Sequence, residues 1–340
     1  MAAKTRIVYY DVLRTVAIFA VIAIHAFQAL GNGAQILHFP VNAFVESVGF
    51  AVPLFLMLSG ALLLNREIEL GSFIKHRMVR IVYPFIFFMI ILVVVHFLKG
   101  NAISYNIFSY YWYFWLIIGV YLALPIINKF IQHASKKEIE YFLTVFVLSS
   151  IFYQMILYLG IEEQYFNLNF FVAPIGYLIL GYYLSHYEIK MDSKKLAILM
   201  ALIFIAVTIV KILSVANYIP PNLIVNYEAI QTKVLASWLD VSVFKIIQAG
   251  SLFLFFKHLT IGSEIVRKFT LSVSRASYGM YMLDLIFRVN LVPLIVGIPS
   301  SGTGVCLCII ALTLVVFFGS WICVLVLSRI PGIKKVCGYY

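Results

Sequence analysis

Apolar residues gather along this chain into stretches of about twenty, and the polar groups between them are short and rich in Lys and Arg. A helix needs about 20 predominantly apolar residues to cross the hydrocarbon core of a bilayer. Ten such stretches can be marked: 7–30, 41–64, 80–98, 110–130, 140–159, 170–187, 196–216, 236–256, 274–295 and 303–328. They are too long, and too uniform, to alternate as the strands of a membrane barrel do. The pattern predicts an all-α polytopic membrane protein with about ten transmembrane helices, forming a single integral domain over 1–340. The longest connection, roughly 217–235, contains Pro220 and Pro221, which cannot continue a helix. No soluble domain, low-complexity tract or internal repeat stands out.

Composition sharpens this picture. Hydrophobic residues make up 63% of the chain and charged residues 11%, with a mean hydropathy of +1.01, whereas soluble domains carry about 25% charged residues. The net charge of +11 would suit nucleic acid, but its distribution gives a simpler account. Connections on one side hold nineteen Lys and Arg, among them Lys4, Arg66, Lys136, Lys194, Lys268 and Lys335. Those on the other side hold three: Lys99, Lys211 and Lys233. Basic residues concentrate on cytoplasmic loops, so both termini are expected in the cytoplasm and no nucleic-acid partner is expected. Cys306, Cys308, Cys323 and Cys337 have no ligand His nearby and read as small core residues. The first apolar run carries Arg14 and His25, which marks it as a span rather than a cleaved leader.

Ionisable side chains inside apolar spans are costly and point to function by default. The first span has the densest set. Asp11 and Arg14 are three apart and share a face. Arg14 and His25 are eleven apart, close to three turns, about 16 Å along the axis. The bland alternative is an Asp11–Arg14 structural pair beside a satisfied interior histidine. At the start of the third span, Arg77 and Arg80 lie on one face with Lys75 beside them. Two guanidinium forks at this spacing can clamp phosphates, or simply anchor the helix at lipid headgroups. In the ninth span Asp284 and Arg288 are four apart and should neutralise each other. Asp240 and Lys245 in the eighth need partners elsewhere. Trp112, Trp115 and the run Tyr110 to Tyr113 suit an interfacial aromatic belt.

Several of these pieces, in order, resemble one family. Asp11-x-Leu-Arg14 followed, after ten intervening residues, by His25 is similar to the opening of the family 3 membrane acyltransferases, many of which modify bacterial surface glycans. The run Pro53 to Ser59–Gly60, the element Arg77-x-x-Arg80-Ile-x-x-Pro84, Trp112 ahead of Pro125, and Ser277-Tyr278-Gly279-Met280-Tyr281 resemble its later motifs. Two positions depart from it: Asp284 stands where the family often has a His, and Tyr110-Tyr111-Trp112 replaces a His-Leu-Trp group.

The resemblance implies transfer of an acyl group, usually acetyl from acetyl-CoA as co-substrate and without a metal. The acceptor would be a hydroxyl of a glycan or lipid-linked sugar, and the setting a cell membrane, by family the bacterial plasma membrane. It implies that His25 acts as general base. Arg77, Arg80 and Lys75 would hold the CoA phosphates, and Arg14, oriented by Asp11, would stabilise developing oxyanion charge or hold CoA. Trp112, Tyr278, Tyr281 and Asp284 would face the substrate. A covalent acyl-histidine relay is an alternative within this class. A transporter or flippase with a polar interior is the alternative outside it, and a non-catalytic subunit of polysaccharide assembly is a third.

Overall fold

The computed structural model describes residues 6–31, 45–100, 111–158, 174–215, 242–294 and 302–340. Among these described residues there are ten α-helices and no strand. They are α1 (Val8–Gly31), α2 (Ala51–Leu63), α3 (Leu70–Leu98), α4 (Trp112–His133), α5 (Lys136–Tyr158), α6 (Ile175–His186), α7 (Ser193–Val215), α8 (Val243–His258), α9 (Glu264–Leu291) and α10 (Gly302–Leu327). Seven are long and apolar enough to cross a membrane: α1, α2 with the turn before it, α3, α4, α5, α7 and α10. The chain is an all-α polytopic membrane protein. The helix α9 has the length but not the apolarity, because Ser, Thr, Arg, Tyr and Asp punctuate it.

The helices start where local chemistry allows rather than where hydropathy rises. Glu69 caps α3 by accepting from the backbone N–H groups of Gly71 and Ser72, and burial-free hydrogen bonding to Ser72 holds its carboxyl below the usual range. Ser263 caps α9 through the Val266 N–H. These helices therefore begin at Leu70 and Glu264, not near 80 and 274 as the apolar runs predict. Arg77, Arg80 and Arg275, counted from sequence among the basic residues that flank the spans, all stand inside helices.

At the centre is α1, which packs against α2, α9 and α10. Its most apolar window is 61% buried, whereas that of α7 is only 17% buried and turns its Leu and Ile outward. The contact of α2 with α6 is backbone against backbone. A Cβ at Gly60 would overlap the Leu178 carbonyl, and one at Gly181 would overlap that of Met57, so small residues set the spacing as they do at other membrane helix interfaces. Lys211 corrects the loop count. It lies in α7, is 1% exposed, and its Nζ is 2.8 Å from Glu46 Oε2, with bonds to the Glu46 carbonyl and Gln248 Oε1. The cysteines are free, with Cys337 fully buried. Asp240, Tyr110 and Lys233 lie outside the described residues.

Candidate active site

A cavity of about 510 Å³ opens between α1, α2, α3, α4 and α9, within the size range of small-molecule sites. Each helix gives it one stripe. On α1 the stripe is Arg14, Ile18, Val21, His25 and Gln28, spaced 4, 3, 4 and 3, the repeat that keeps side chains on one face of a helix. On α2 it runs from Val52 through Ser59 to Arg66 just beyond the helix. Gly60, beside Ser59, faces α6 instead, so the adjacent pair divides its work between wall and packing.

The cavity is strongly basic. Six arginines line it: Arg6, Arg14, Arg66, Arg77, Arg80 and Arg275. No Asp or Glu does. Arg6 is neutralised by a two-pronged pair with Asp11, both contacts at 2.8 Å; that bond to Asp11 raises the Arg6 pKa. The Asp11 carboxylate thus pairs with Arg6, and the Asp11–Arg14 pair read from the helix spacing is not made. Arg6 stands two residues before α1 and donates to both oxygens of the Asp11 carboxylate. Arg14 reaches across to Ser274 Oγ on α9, at 3.3 Å. Arg77 lies over the rings of Phe73 and Tyr121, and Arg80 over that of Tyr340, each within 6 Å of the ring centre. Lys75 is exposed and lines no part of the cavity.

About three helical turns along α1, His25 lines the same cavity. Its Nδ1 is 2.6 Å from Asp284 Oδ2, and the same oxygen accepts from Arg288 Nε at 3.1 Å and Nη2 at 3.0 Å. The Asp284–Arg288 pair expected from sequence is therefore formed, but it has a third member. A carboxylate held by a guanidinium can only accept, so Nδ1 donates to it. This leaves the lone pair on Nε2 for another partner, as orienting carboxylates do for catalytic imidazoles. Asp284 is buried, 1% exposed, and is not part of the cavity wall. It stands behind His25, outside the cavity lining.

Aromatic rings surround this region. Trp112, Tyr113, Tyr278 and Tyr281 line the cavity. Tyr281 packs edge-on against Tyr113 at 5.7 Å and Tyr111 at 6.1 Å. Tyr111 is buried and donates to the Met282 carbonyl, and Tyr278 donates to the Ile81 carbonyl, so the sheath is tied to both α9 and α3. Trp112 and Tyr113 face the cavity, whereas Trp115, 52% exposed, suits the interfacial belt.

Of the sequence candidates, the fold brings His25, Arg14, Arg77, Arg80, Trp112, Tyr278 and Tyr281 to one cavity. It places Asp11 and Asp284 one layer behind and Lys75 outside. Sequence reading missed Arg66, Arg275, Gln28 and Tyr340 as wall residues. The first two were visible only as members of the basic connections, and the last two carried no signal.

A family model described as an acyltransferase domain matches residues 7–325, the stretch that holds α1 to α9, α10 but for its last two residues, and every wall residue except Arg6 and Tyr340. No curated protein and no solved structure matches the chain.

Proposed function

The chain belongs to the membrane acyltransferase family 3, and from that premise we propose that it is an O-acetyltransferase moving acetyl from acetyl-CoA to a hydroxyl of a glycan or lipid-linked sugar. The observation that carries this reading is a single cavity with an arginine cluster in one region and a carboxylate-backed imidazole three turns away. A CoA thioester has that layout: phosphates at one end, an acyl carbon at the end of a long arm.

In this reading Arg66, Arg77, Arg80 and Arg275 receive the phosphates through charge-assisted hydrogen bonds. With the basic connections on the cytoplasmic side, the donor enters from the cytoplasm. Arg14, some 16 Å from His25 along α1, belongs with the phosphates and not with the reacting carbonyl. The aromatic sheath of Trp112, Tyr278 and Tyr281 guides the arm and the acceptor. His25 Nε2 takes the proton of the acceptor hydroxyl as its oxygen attacks the thioester carbon. The tetrahedral intermediate then collapses, the carbon–sulfur bond breaks, and the imidazolium returns the proton to the CoA thiolate. Asp284 steadies the imidazolium while it is charged. The products are an acetyl ester and CoA.

Two measurements on purified protein test this. Acetyl-CoA should raise the melting temperature, because a ligand that binds only the folded state stabilises it. His25→Ala should keep that stabilisation and lose acetyl transfer by about 10²- to 10⁴-fold. Transfer at the wild-type rate in His25→Ala refutes the base; absence of any stabilisation by acetyl-CoA refutes the donor, and favours a transport role for the cavity.

A further inference from the structure

The segment that follows α10 reaches the cavity wall with one residue, Tyr340. It turns at Gly332 (φ 86°), makes one short 3₁₀ turn at Ile333–Lys335, and lays Val336 to Tyr340 back across α9 and α3. Two glycines permit this. A Cβ on Gly279 would overlap the Cys337 carbonyl. Gly338 has φ 74°, and a Cβ there would stand 2.7 Å from the Gly279 nitrogen, so backbone touches backbone where a side chain on either partner would keep them apart. Cys337 is fully buried in the contact.

Tyr340 is fixed from three directions. Its N–H donates to the Arg275 carbonyl at 3.0 Å. Its hydroxyl donates to the Arg80 carbonyl at 2.7 Å. The Arg80 guanidinium stands over its ring, 5.3 Å from the centre. The side chain nevertheless remains 41% exposed and lines the cavity together with Arg77, Arg80 and Arg275. A ring that is anchored at both ends, backed by the Arg80 guanidinium and open to a cavity has the form of a stacking platform for a nucleobase.

We propose that residues 336–340 fix Tyr340 in the wall of the donor site and that its ring stacks on the base of a nucleotide-bearing acyl donor. This rests on the acetyl-transfer reading and deepens it: the same thioester on a phosphopantetheine arm without the nucleotide has nothing to place on Tyr340. The chemistry of the ring suits the role, since burial pushes the Tyr340 hydroxyl up to about 12 and no phenolate charge opposes the incoming phosphates.

The experiment compares acetyl-CoA with S-acetyl-4′-phosphopantetheine as donors for the full-length wild type, Tyr340→Ala and Tyr340→Phe. Loss of one base-stacking contact is expected to raise the KM for acetyl-CoA in Tyr340→Ala by about ten- to a hundredfold. The KM for acetyl-phosphopantetheine and both kcat values should stay at the wild-type level. Tyr340→Phe keeps the ring and loses only the hydroxyl bond to Arg80, and should behave as wild type with both donors. The stacking role is overturned if Tyr340→Ala uses acetyl-CoA normally, if it weakens both donors equally, or if Tyr340→Phe loses as much as Tyr340→Ala. A wild type that binds and uses neither donor overturns the acetyl-transfer reading, and this inference with it.

Discussion

His25, Asp284 and Arg288 in one part of the bundle, and Lys211, Glu46 and Gln248 in another, are assembled from similar parts. Each centres on a short contact to a buried carboxylate, 2.6 Å from His25 Nδ1 in the first and 2.8 Å from Lys211 Nζ in the second. The first adds Arg288, whose Nε donates to the same carboxylate oxygen, and the second adds Gln248 Oε1 and the Glu46 carbonyl, which accept from Lys211. They differ in what they face. The His25 side chain is 14% exposed and lines the cavity. Lys211 is 1% exposed, and no member of its network reaches the cavity wall. A charge inside an apolar helix is thus compatible with chemistry and with pure architecture, and access to a cavity separates the two. A buried pair seals a helix contact, because breaking it strands an uncompensated charge. An imidazole whose second nitrogen borders open space can pass a proton on.

The largest effects should fall on opposite sides of this comparison. His25→Ala should abolish most turnover while the melting temperature stays near that of the wild type. Lys211→Met should do the reverse: it breaks the buried pair with Glu46 and should cost up to about 3–5 kcal/mol of stability, read by denaturant titration in detergent, with turnover per folded molecule unchanged. A Lys211→Met protein that folds well but has lost turnover would break the distinction. Next in size, Arg77→Ala combined with Arg80→Ala removes two charge-assisted bonds to the donor. Its KM for acetyl-CoA should rise about a hundredfold and lose much of its salt dependence, with kcat little changed. Asp284→Asn is the gentlest and the most informative. Because Asp284 acts on the substrate only through His25, kcat should fall about tenfold, while the KM for donor and acceptor holds. A raised acceptor KM with normal kcat would instead put Asp284 in contact with the substrate.

Much of the architecture can be read from hydropathy, because an apolar run of this length has no favourable surroundings but lipid or other helices. The ten helices fall in the order of the ten apolar stretches. The misjudged ends are those of α3 and α9. Their first turns are polar and capped by Glu69 and Ser263, and hydropathy marks where lipid begins, not where a helix does. Lys211 was misplaced for the complementary reason. A lysine near the end of an apolar run reads as the start of a loop, and only Glu46, over a hundred residues earlier and paired with it in space, shows that it is interior.

What the sequence determined by itself is the periodic part: helices, their apolar faces, and the stripe on α1 that keeps Arg14 and His25 in line. Spacing within one helix fixes which side chains share a face, because helix geometry is the same wherever it occurs. It does not fix which partner a charged side chain takes. Asp11 chose Arg6 over Arg14, and His25 found its carboxylate 259 residues away on α9. Arg66, Arg275 and Tyr340 joined Arg77 and Arg80 around one cavity. Those choices belong to the tertiary structure, since desolvated charges pair with whatever packing brings within hydrogen-bond reach, and that reach is set by helix contacts distant in the chain.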